Sequence, residues 1–365
     1  VKKMVPLFDL PGAVRFNDAL KLSRGHALNP VNVVHEDIAF LQYTGGTTGV
    51  AKGAMLTHRN IVANMLQADA WIRPFLTGPQ IVITALPLYH IFALTANCLV
   101  FLKLGARNVL ITNPRDIPAF VKELSKHRFT AITGVNTLFN ALLNNADFAK
   151  VDFSALRVSL GGGMAVQRAV AERWKKVTGR PLIEAYGLTE TSPAVCINPP
   201  DQAEFSGAIG LPVPSTEVSI RNDDGVELPV GEAGELCVRG PQVMKGYYRR
   251  PEETEKVMTP DGYLRTGDVA MVDENGFVKI VDRKKDMILV SGFNVYPNEV
   301  EEVIVDCEGV LECCVIGVAD EHSGEVVKAY VVLAAGFEGS PALVDELQQH
   351  VRGQLAPYEY PKEIE

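Results

Sequence analysis

From about Ile38 to Glu184, short β-branched or apolar runs alternate with helical patterns, and this alternation restricts the fold more than any other feature. The runs are Ala39–Tyr43, Ile81–Leu86, Asn108–Thr112, Thr130–Thr133, Leu156–Leu160 and Leu182–Ala185. Between them, Ile117, Phe120, Val121 and Leu124 recur at helical spacing behind Asp116, a good N-cap. The pattern predicts an α/β fold: a doubly wound, mostly parallel sheet with helices packed on its faces.

After Pro199 the texture changes to short strands separated by turn signals such as Asn222–Gly225 and Asp273–Gly276. The expected division is an α/β part over 1–204, a small antiparallel β subdomain over 205–281, a hinge linker over 282–286 and an α+β domain over 287–365. In the last of these, Pro297 opens a helix with Val300, Val303, Ile304 and Cys307 on one face. Strands are expected at Leu311–Val318 and Val326–Leu333, then a helix from about Ala342. Because the chain starts at Val1 and stops at Glu365 inside what reads as an element, the expectation is a fragment cut at both ends.

A length of 365 residues exceeds what one core usually supports, and an apolar content of 47% excludes a disordered chain. A formal charge of −9 argues against a general nucleic-acid binder, so an anionic ligand must find a local cationic site. The six cysteines form no C-x-x-C pair and read as buried thiols of a reducing compartment; a redox switch at Cys313–Cys314 is the lesser alternative. No apolar run approaches the roughly 18 residues of a membrane span, and there is no signal-peptide core. A cytoplasmic protein is expected, with peripheral inner-membrane association and a homodimer left open.

One segment stands out chemically: Tyr43-Thr-Gly-Gly-Thr-Thr-Gly-Val-Ala-Lys-Gly53, expected between a strand and a helix entered near Thr57. Its glycines let backbone N–H groups approach an anion, Thr44, Thr47 and Thr48 add hydroxyl donors, and Lys52 adds charge. A Walker loop is excluded by spacing, because Val50 and Ala51 separate Gly49 from Lys52 and Gly53 follows it. A plain surface turn would not need this ordered Thr-Thr-Gly and Lys.

The segment resembles the signature of the adenylate-forming superfamily, which holds acyl-CoA synthetases, firefly-type luciferases and peptide-synthetase adenylation domains. That signature is close to Tyr-Thr-Ser-Gly-Thr-Thr-Gly-x-Pro-Lys-Gly, and this chain departs from it with Gly45 for Ser and Ala51 for Pro. The resemblance implies that Thr44, Gly46, Thr47, Thr48, Gly49 and Lys52 hold the phosphates of ATP. Leu86–Phe92 looks like the family's acyl-pocket motif, which turns His90 from an ordinary structural histidine into a substrate-side residue. Gly161, Gly162 and Gly163 fail as a dinucleotide fingerprint, since Val166 stands where a glycine is needed; in the family the matching glycines wall the adenine pocket.

The segment Glu184-Ala-Tyr-Gly-Leu-Thr-Glu190 is the more specific match. It implies that Glu184, Ala185, Tyr186 and Gly187 line the adenine, that Thr189 lies near the α-phosphate, and that Glu190, with Thr44, binds Mg²⁺. Asp268, in Tyr263–Asp268, resembles the ribose ligand, since a carboxylate accepts from both ribose hydroxyls. Arg283 falls on the ribose and phosphate side, Lys285 at the hinge, and Gly292 on the channel for the pantetheine arm of coenzyme A.

Over essentially the whole chain the similarity is greatest to bacterial long-chain fatty-acyl-CoA ligases. The implied chemistry is attack of a fatty carboxylate on ATP to give acyl-adenylate and pyrophosphate, then attack of the CoA thiol with release of AMP, feeding fatty-acid degradation. Thr44, Lys52, His90 and Glu190 are the expected catalytic residues, and a further lysine of the first step is expected beyond Glu365, so this stretch by itself is expected to be impaired and to bind nucleotide better than it turns over. The alternatives are an aryl or medium-chain acyl-CoA ligase, an amino-acid adenylation domain, a non-catalytic nucleotide-binding module, and a carrier or membrane-surface protein.

Overall fold

The computed structural model describes residues 10–44, 51–202, 204–320, 322–334 and 336–365. Helix α1 (Phe16–Leu22) precedes a hairpin of β1 (Ile38–Thr44) and β2 (Lys52–Thr57), antiparallel with Tyr43 opposite Gly53 and Thr44 opposite Lys52. This corrects one expectation. Ala39–Tyr43 is not a strand of the parallel sheet, and the Thr/Gly-rich segment joins two strands instead of a strand and a helix. Helix α2 (His58–Ile72) does start behind Thr57, whose Oγ1 accepts from Asn60 N at 3.2 Å while Asn60 Oδ1 accepts from Thr57 N at 2.9 Å.

The large sheet runs β4-β3-β5-β6-β7-β8-β9. Its strands are β3 (Ile81–Thr84), β4 (Arg107–Leu110), β5 (Ala131–Gly134), β6 (Val158–Gly162), β7 (Ile183–Gly187), β8 (Ala194–Ile197) and β9 (Leu211–Pro212). The first five are mutually parallel and the last two antiparallel. A π-helical turn, Ala93–Leu99, leads into α3 (Val100–Lys103), and α4 (Ile117–Leu124), α5 (Asn136–Leu143) and α6 (Arg168–Thr178) complete the crossovers. Asp116 caps α4 as expected, its Oδ1 accepting from Ala119 N at 3.1 Å.

Alternation along the strands explains the double winding, since successive side chains point to opposite faces. Ile83, Ile132 and Leu182 join one core with α4, α5 and α6, where Trp174 and Phe139 pack edge to face at 4.8 Å. Their neighbours Val82, Ala131 and Ile183 join the other core, with Ala68 and Ile72 of α2 and Val100 and Phe101 of α3.

A four-stranded antiparallel sheet follows, β10 (Glu217–Arg221), β11 (Gly234–Arg239), β12 (Leu264–Val272) and β13 (Val278–Arg283), with α7 (Pro251–Val257) inserted before β12. The large sheet thus continues to Pro212, past the expected division at 204, and β13 carries Asp282 and Arg283 of the expected linker, leaving a turn at Lys284–Met287. The last unit packs α8 (Pro297–Val305) and α9 (Pro341–Arg352) on a sheet of β14 (Ile288–Val290), β15 (Phe293–Val295), β16 (Val310–Asp320), β17 (Gly324–Leu333) and β18 (Glu363–Ile364). It meets β13 where Asn298 N donates to Asp282 Oδ2 at 3.0 Å.

Of the six free cysteines only Cys196 and Cys237 are buried, while Cys314 is exposed on β16, so the reading of all six as buried thiols does not hold. Among the described residues no helix is long and apolar enough to cross a membrane.

Candidate active site

Strand β4 lies on one side of β3 and β5 on the other, so the winding reverses there, and such a switch point opens a crevice beyond the carboxyl ends of the strands. The sequence-predicted residues gather at those ends. His90 lies in the loop after β3, Gly161 and Gly162 end β6, and Glu184 to Gly187 form the end of β7, followed by Thr189 and Glu190 in a single 3₁₀ turn. Glycine is required at the end of β6: a Cβ on Gly161 would stand 2.5 Å from Val166 Cγ2, and one on Gly162 would stand 3.0 Å from the Ala185 carbonyl oxygen.

The cationic side is built by a segment that carried no expectation. Met55 N donates to Gly246 O at 2.9 Å, Lys245 N to Met55 O at 3.0 Å and Tyr248 N to Gly53 O at 2.8 Å, which lays residues 244–248 along β2. Met244 N also donates to the Glu190 carbonyl at 2.7 Å. Tyr247 is thereby fixed between two charged groups: its hydroxyl donates to Glu190 Oε1 at 2.7 Å, and the Lys52 ammonium lies 5.0 Å from its ring centroid. Burial, and then the Glu190 carboxylate, push the Tyr247 phenol up, so it stays a donor. Lys52 Nζ pairs with Glu253 Oε2 of α7 at 2.8 Å, and Lys256 pairs with the other oxygen at 2.5 Å. These two cations, Lys256 foremost, hold the Glu253 carboxyl down at about 2. Thr44 Oγ1 lies 3.5 Å from the Lys52 carbonyl oxygen. Gly46, Thr47, Thr48 and Gly49 lie outside the described residues.

Across the crevice Asp268 and Arg283 face each other in register on β12 and β13, with Arg283 Nε 3.6 Å from Asp268 Oδ1. The Tyr186 hydroxyl donates to Asp268 Oδ2. Asp268 is buried, and burial pushes its carboxyl up against the opposing pull of Tyr186 and Arg283. A buried carboxylate with one hydroxyl donor on Oδ2 and a cation 3.6 Å from Oδ1 retains lone pairs for a diol.

Glu184 sits differently. Its Oε1 accepts from Val166 N at 3.1 Å, tying β7 to the loop after Gly163, while Oε2 is buried without a partner. Burial, helped by the Glu302 carboxylate of α8 and opposed by the Val166 N–H, pushes this carboxyl up to about 7. Because the folded state holds the proton more tightly, Glu184 contributes most to stability below its ordinary value of 4.5, and that contribution is lost as pH rises through about 7. Glu184→Gln is expected to remove this part of the pH dependence, on the order of 3 kcal/mol between pH 5 and 8, measured by denaturant unfolding at both pH values.

The Leu86–Phe92 segment borders a cavity of about 180 Å³ between the sheet and the α2 and π-helical layer. His90, Gly162, Gly163, Tyr186 and Thr189 are at its mouth, and Ala131 and Val158, at the starts of their strands, lie deep. At about 3.3 Å per residue, the four steps from Gly162 to Val158 give a depth of about 13 Å. Most of the wall is apolar, and a comparable engineered cavity of about 150 Å³ holds benzene and stays dry. His90 is exposed at the rim, with Nδ1 accepting from Phe92 N at 3.2 Å.

Two expected residues are not drawn into the cluster by any described contact. Lys285 pairs with its neighbour Asp286 at 3.6 Å. Gly292 follows Ser291 in the two-residue turn between β14 and β15, with φ +52° and +87°, and a turn of that type requires positive φ at both positions. Its glycine therefore has a local reason.

Residues 7–248 match the AMP-binding enzyme family and residues 299–365 the AMP-binding enzyme C-terminal domain. The chain belongs to the AMP-binding enzyme family. It is 58% identical over 369 aligned residues to the long-chain-fatty-acid–CoA ligase of Salmonella typhimurium, covering 100% of this chain and 64% of that protein. To the enzyme of the same name from Bacillus subtilis it is 43% identical, over 90% of this chain and 58% of that protein. The chain thus spans somewhat less than two thirds of these curated relatives. ATP-bound MatB from Rhodopseudomonas palustris superposes with a TM-score of 0.85 at 33% identity, over 95% of this chain and 68% of that one. The anthranilate CoA ligase AuaEII in complex with anthranoyl-AMP gives 0.85 at 28% identity, over 98% and 68%. The doubly wound core and its β subdomain are therefore an AMP-binding architecture.

Proposed function

We propose that the chain is part of a long-chain fatty acid–CoA ligase and carries its nucleotide and acyl sites. The whole enzyme activates a fatty carboxylate with ATP to an acyl-adenylate, releases pyrophosphate, and passes the acyl group to coenzyme A with release of AMP. The observation that carries this reading is the junction of two unlike surfaces: the apolar cavity opens beside Tyr186 and Thr189, and the Tyr186 hydroxyl is bonded to the buried carboxylate Asp268. A tail in the cavity puts its carboxylate at the mouth, within the crevice that Asp268 and Lys52 border.

In this reading Asp268 accepts from the ribose hydroxyls, Arg283 neutralises charge beside it, and Gly161 to Gly163 with Ala185 and Tyr186 form the adenine walls. The unpartnered Glu184 Oε2 suits the adenine amino group. Lys52 exchanges Glu253 for the leaving phosphates, with the Thr44 hydroxyl beside its backbone. Glu190 and the Thr44 hydroxyl are hard oxygen donors that suit Mg²⁺, which binds nucleotides through few protein oxygens and the phosphates. Bound there, Mg²⁺ supplies neutralisation of phosphate charge. His90 stands at the mouth to orient the carboxylate. The thiol step follows rotation of residues 287–365 about the turn at Lys284–Asp286, where Lys285 serves as hinge, and Gly292 then borders the arm of coenzyme A. The protein does little covalent work; it positions the acid in line with the α-phosphorus and stabilises charge. A cytoplasmic location, with peripheral contact with the inner membrane where fatty acids arrive, goes with this reading.

ATP–pyrophosphate exchange by the full-length protein tests it across a series of acids. Exchange should rise from octanoate to palmitate and stay low with benzoate and amino acids; exchange best supported by an aryl or amino acid overturns it. Tyr247→Phe keeps the ring under Lys52 and removes only the hydroxyl on Glu190. It is expected to slow exchange about tenfold, the value of one charge-assisted hydrogen bond of about 1.5 kcal/mol, with the KM for the acid unchanged.

A further inference from the structure

We infer that Asn97 sets how long a chain the acyl cavity prefers, by clamping the π-helical turn that forms its wall to three strands of the sheet; this rests on the fatty-acid reading above. The turn runs from the mouth of the cavity, where Phe92 packs against Gly162, to Val100 and Phe101 in the deep core. Its geometry is visible in Val100 N, which donates to Thr95 O across five residues. Such turns are rare and occur where something holds the backbone out of α-helical register.

Asn97 is what holds it. Fully buried, it donates from Nδ2 to Ile83 O at 3.3 Å and to Thr84 Oγ1 at 3.0 Å, both on β3. Its Oδ1 accepts from Thr133 Oγ1 of β5 at 2.8 Å, and its carbonyl accepts from Asn108 Nδ2 of β4 at 2.7 Å. Thr84 Oγ1 in turn donates to Asn108 Oδ1, closing the network. A buried amide is costly unless fully bonded, and here every polar atom of the side chain is used. Thr133 itself lines the cavity, so the clamp reaches the wall directly.

Without the clamp the turn is free to close to α-helical register. One residue of slip rotates everything after it by about 100°. Val100 and Phe101 at the deep end then move, whereas His90 and Phe92 at the mouth stay. Short acids never reach the moved wall; long acids do. Each buried methylene contributes roughly fourfold in affinity, so the loss of about two methylene contacts lowers long-chain binding about tenfold.

The test is displacement of the fluorescent fatty acid cis-parinarate from the chain by octanoate and by palmitate, read as the ratio of their affinities. In Asn97→Leu the palmitate preference should fall at least about tenfold, with octanoate affinity kept within about twofold. A folded Asn97→Leu whose ratio is unchanged, or in which both acids weaken alike, assigns Asn97 to stability only and overturns the inference. Thr133→Val keeps the shape and removes one donor to Asn97. It should lower the ratio about threefold, roughly the worth of one hydrogen bond, and an unchanged ratio there overturns the inference even if Asn97→Leu fails to fold. A parent chain that binds octanoate and palmitate equally overturns the long-chain reading itself, a different failure from a preference that survives both substitutions.

Discussion

Glu190→Ala is expected to lower fatty-acid-dependent ATP–pyrophosphate exchange by roughly 10³-fold, about 4 kcal/mol of transition-state stabilisation, while AMP binding changes only a few-fold. The asymmetry follows from position. Glu190 belongs to the Lys52 side of the crevice, where its carboxylate receives the Tyr247 hydroxyl and its backbone is bonded to Met244. AMP has no β- or γ-phosphate to bring there, so it should not sense the loss. Glu190→Gln keeps an acceptor for Tyr247 and should fail nearly as badly, which separates charge from architecture. Exchange within threefold of the parent in both variants, at saturating Mg²⁺, would remove Glu190 from the reaction.

Asp268→Ala is expected to weaken AMP binding about 100-fold, since two charge-assisted hydrogen bonds to the ribose at roughly 1.5 kcal/mol each are lost. Calorimetric titration with AMP and with 2′,3′-dideoxy-AMP checks the cause. The parent should distinguish the two nucleotides and the variant should not. Asp268→Asn retains an acceptor for Tyr186. It should therefore recover folding stability more fully than nucleotide affinity. An Asp268→Ala chain that still prefers the nucleotide carrying both hydroxyls would place the ribose elsewhere.

The parallel sheet was legible because its inner strands, β5 and β6 above all, are short runs buried on both faces, and α4 because Asp116 precedes a clean apolar stripe. The hairpin of β1 and β2 was not. Lys52-Gly-Ala-Met-Leu-Thr57 has neither alternation nor a turn dipeptide, and its partner on the far side is residues 244–248, a pairing no local pattern announces. The same distance hid Tyr247 and Glu253, which stand 57 and 201 residues from the groups they hold. A Tyr-Tyr pair ahead of Pro-Glu-Glu was the only signal available. Glu184 shows another limit. A motif names the residue, but which way its carboxylate turns depends on Val166, in a loop 18 residues upstream. The π-helical turn was illegible because it follows from the clamp at Asn97, whose partners come from three separate strands.

In the proposed function one continuous site takes an adenosine at Asp268 and a fatty tail in the cavity. Calorimetric titration of the chain with palmitoyl-sulfamoyl-adenosine, a stable stand-in for the acyl-adenylate, measures both halves together. Binding at least about 100-fold tighter than AMP is predicted, falling stepwise as the acyl chain is shortened and falling again in Asp268→Ala. An affinity equal to that of AMP at every acyl length would mean that the cavity and the nucleotide crevice are not one site, which contradicts the proposed function.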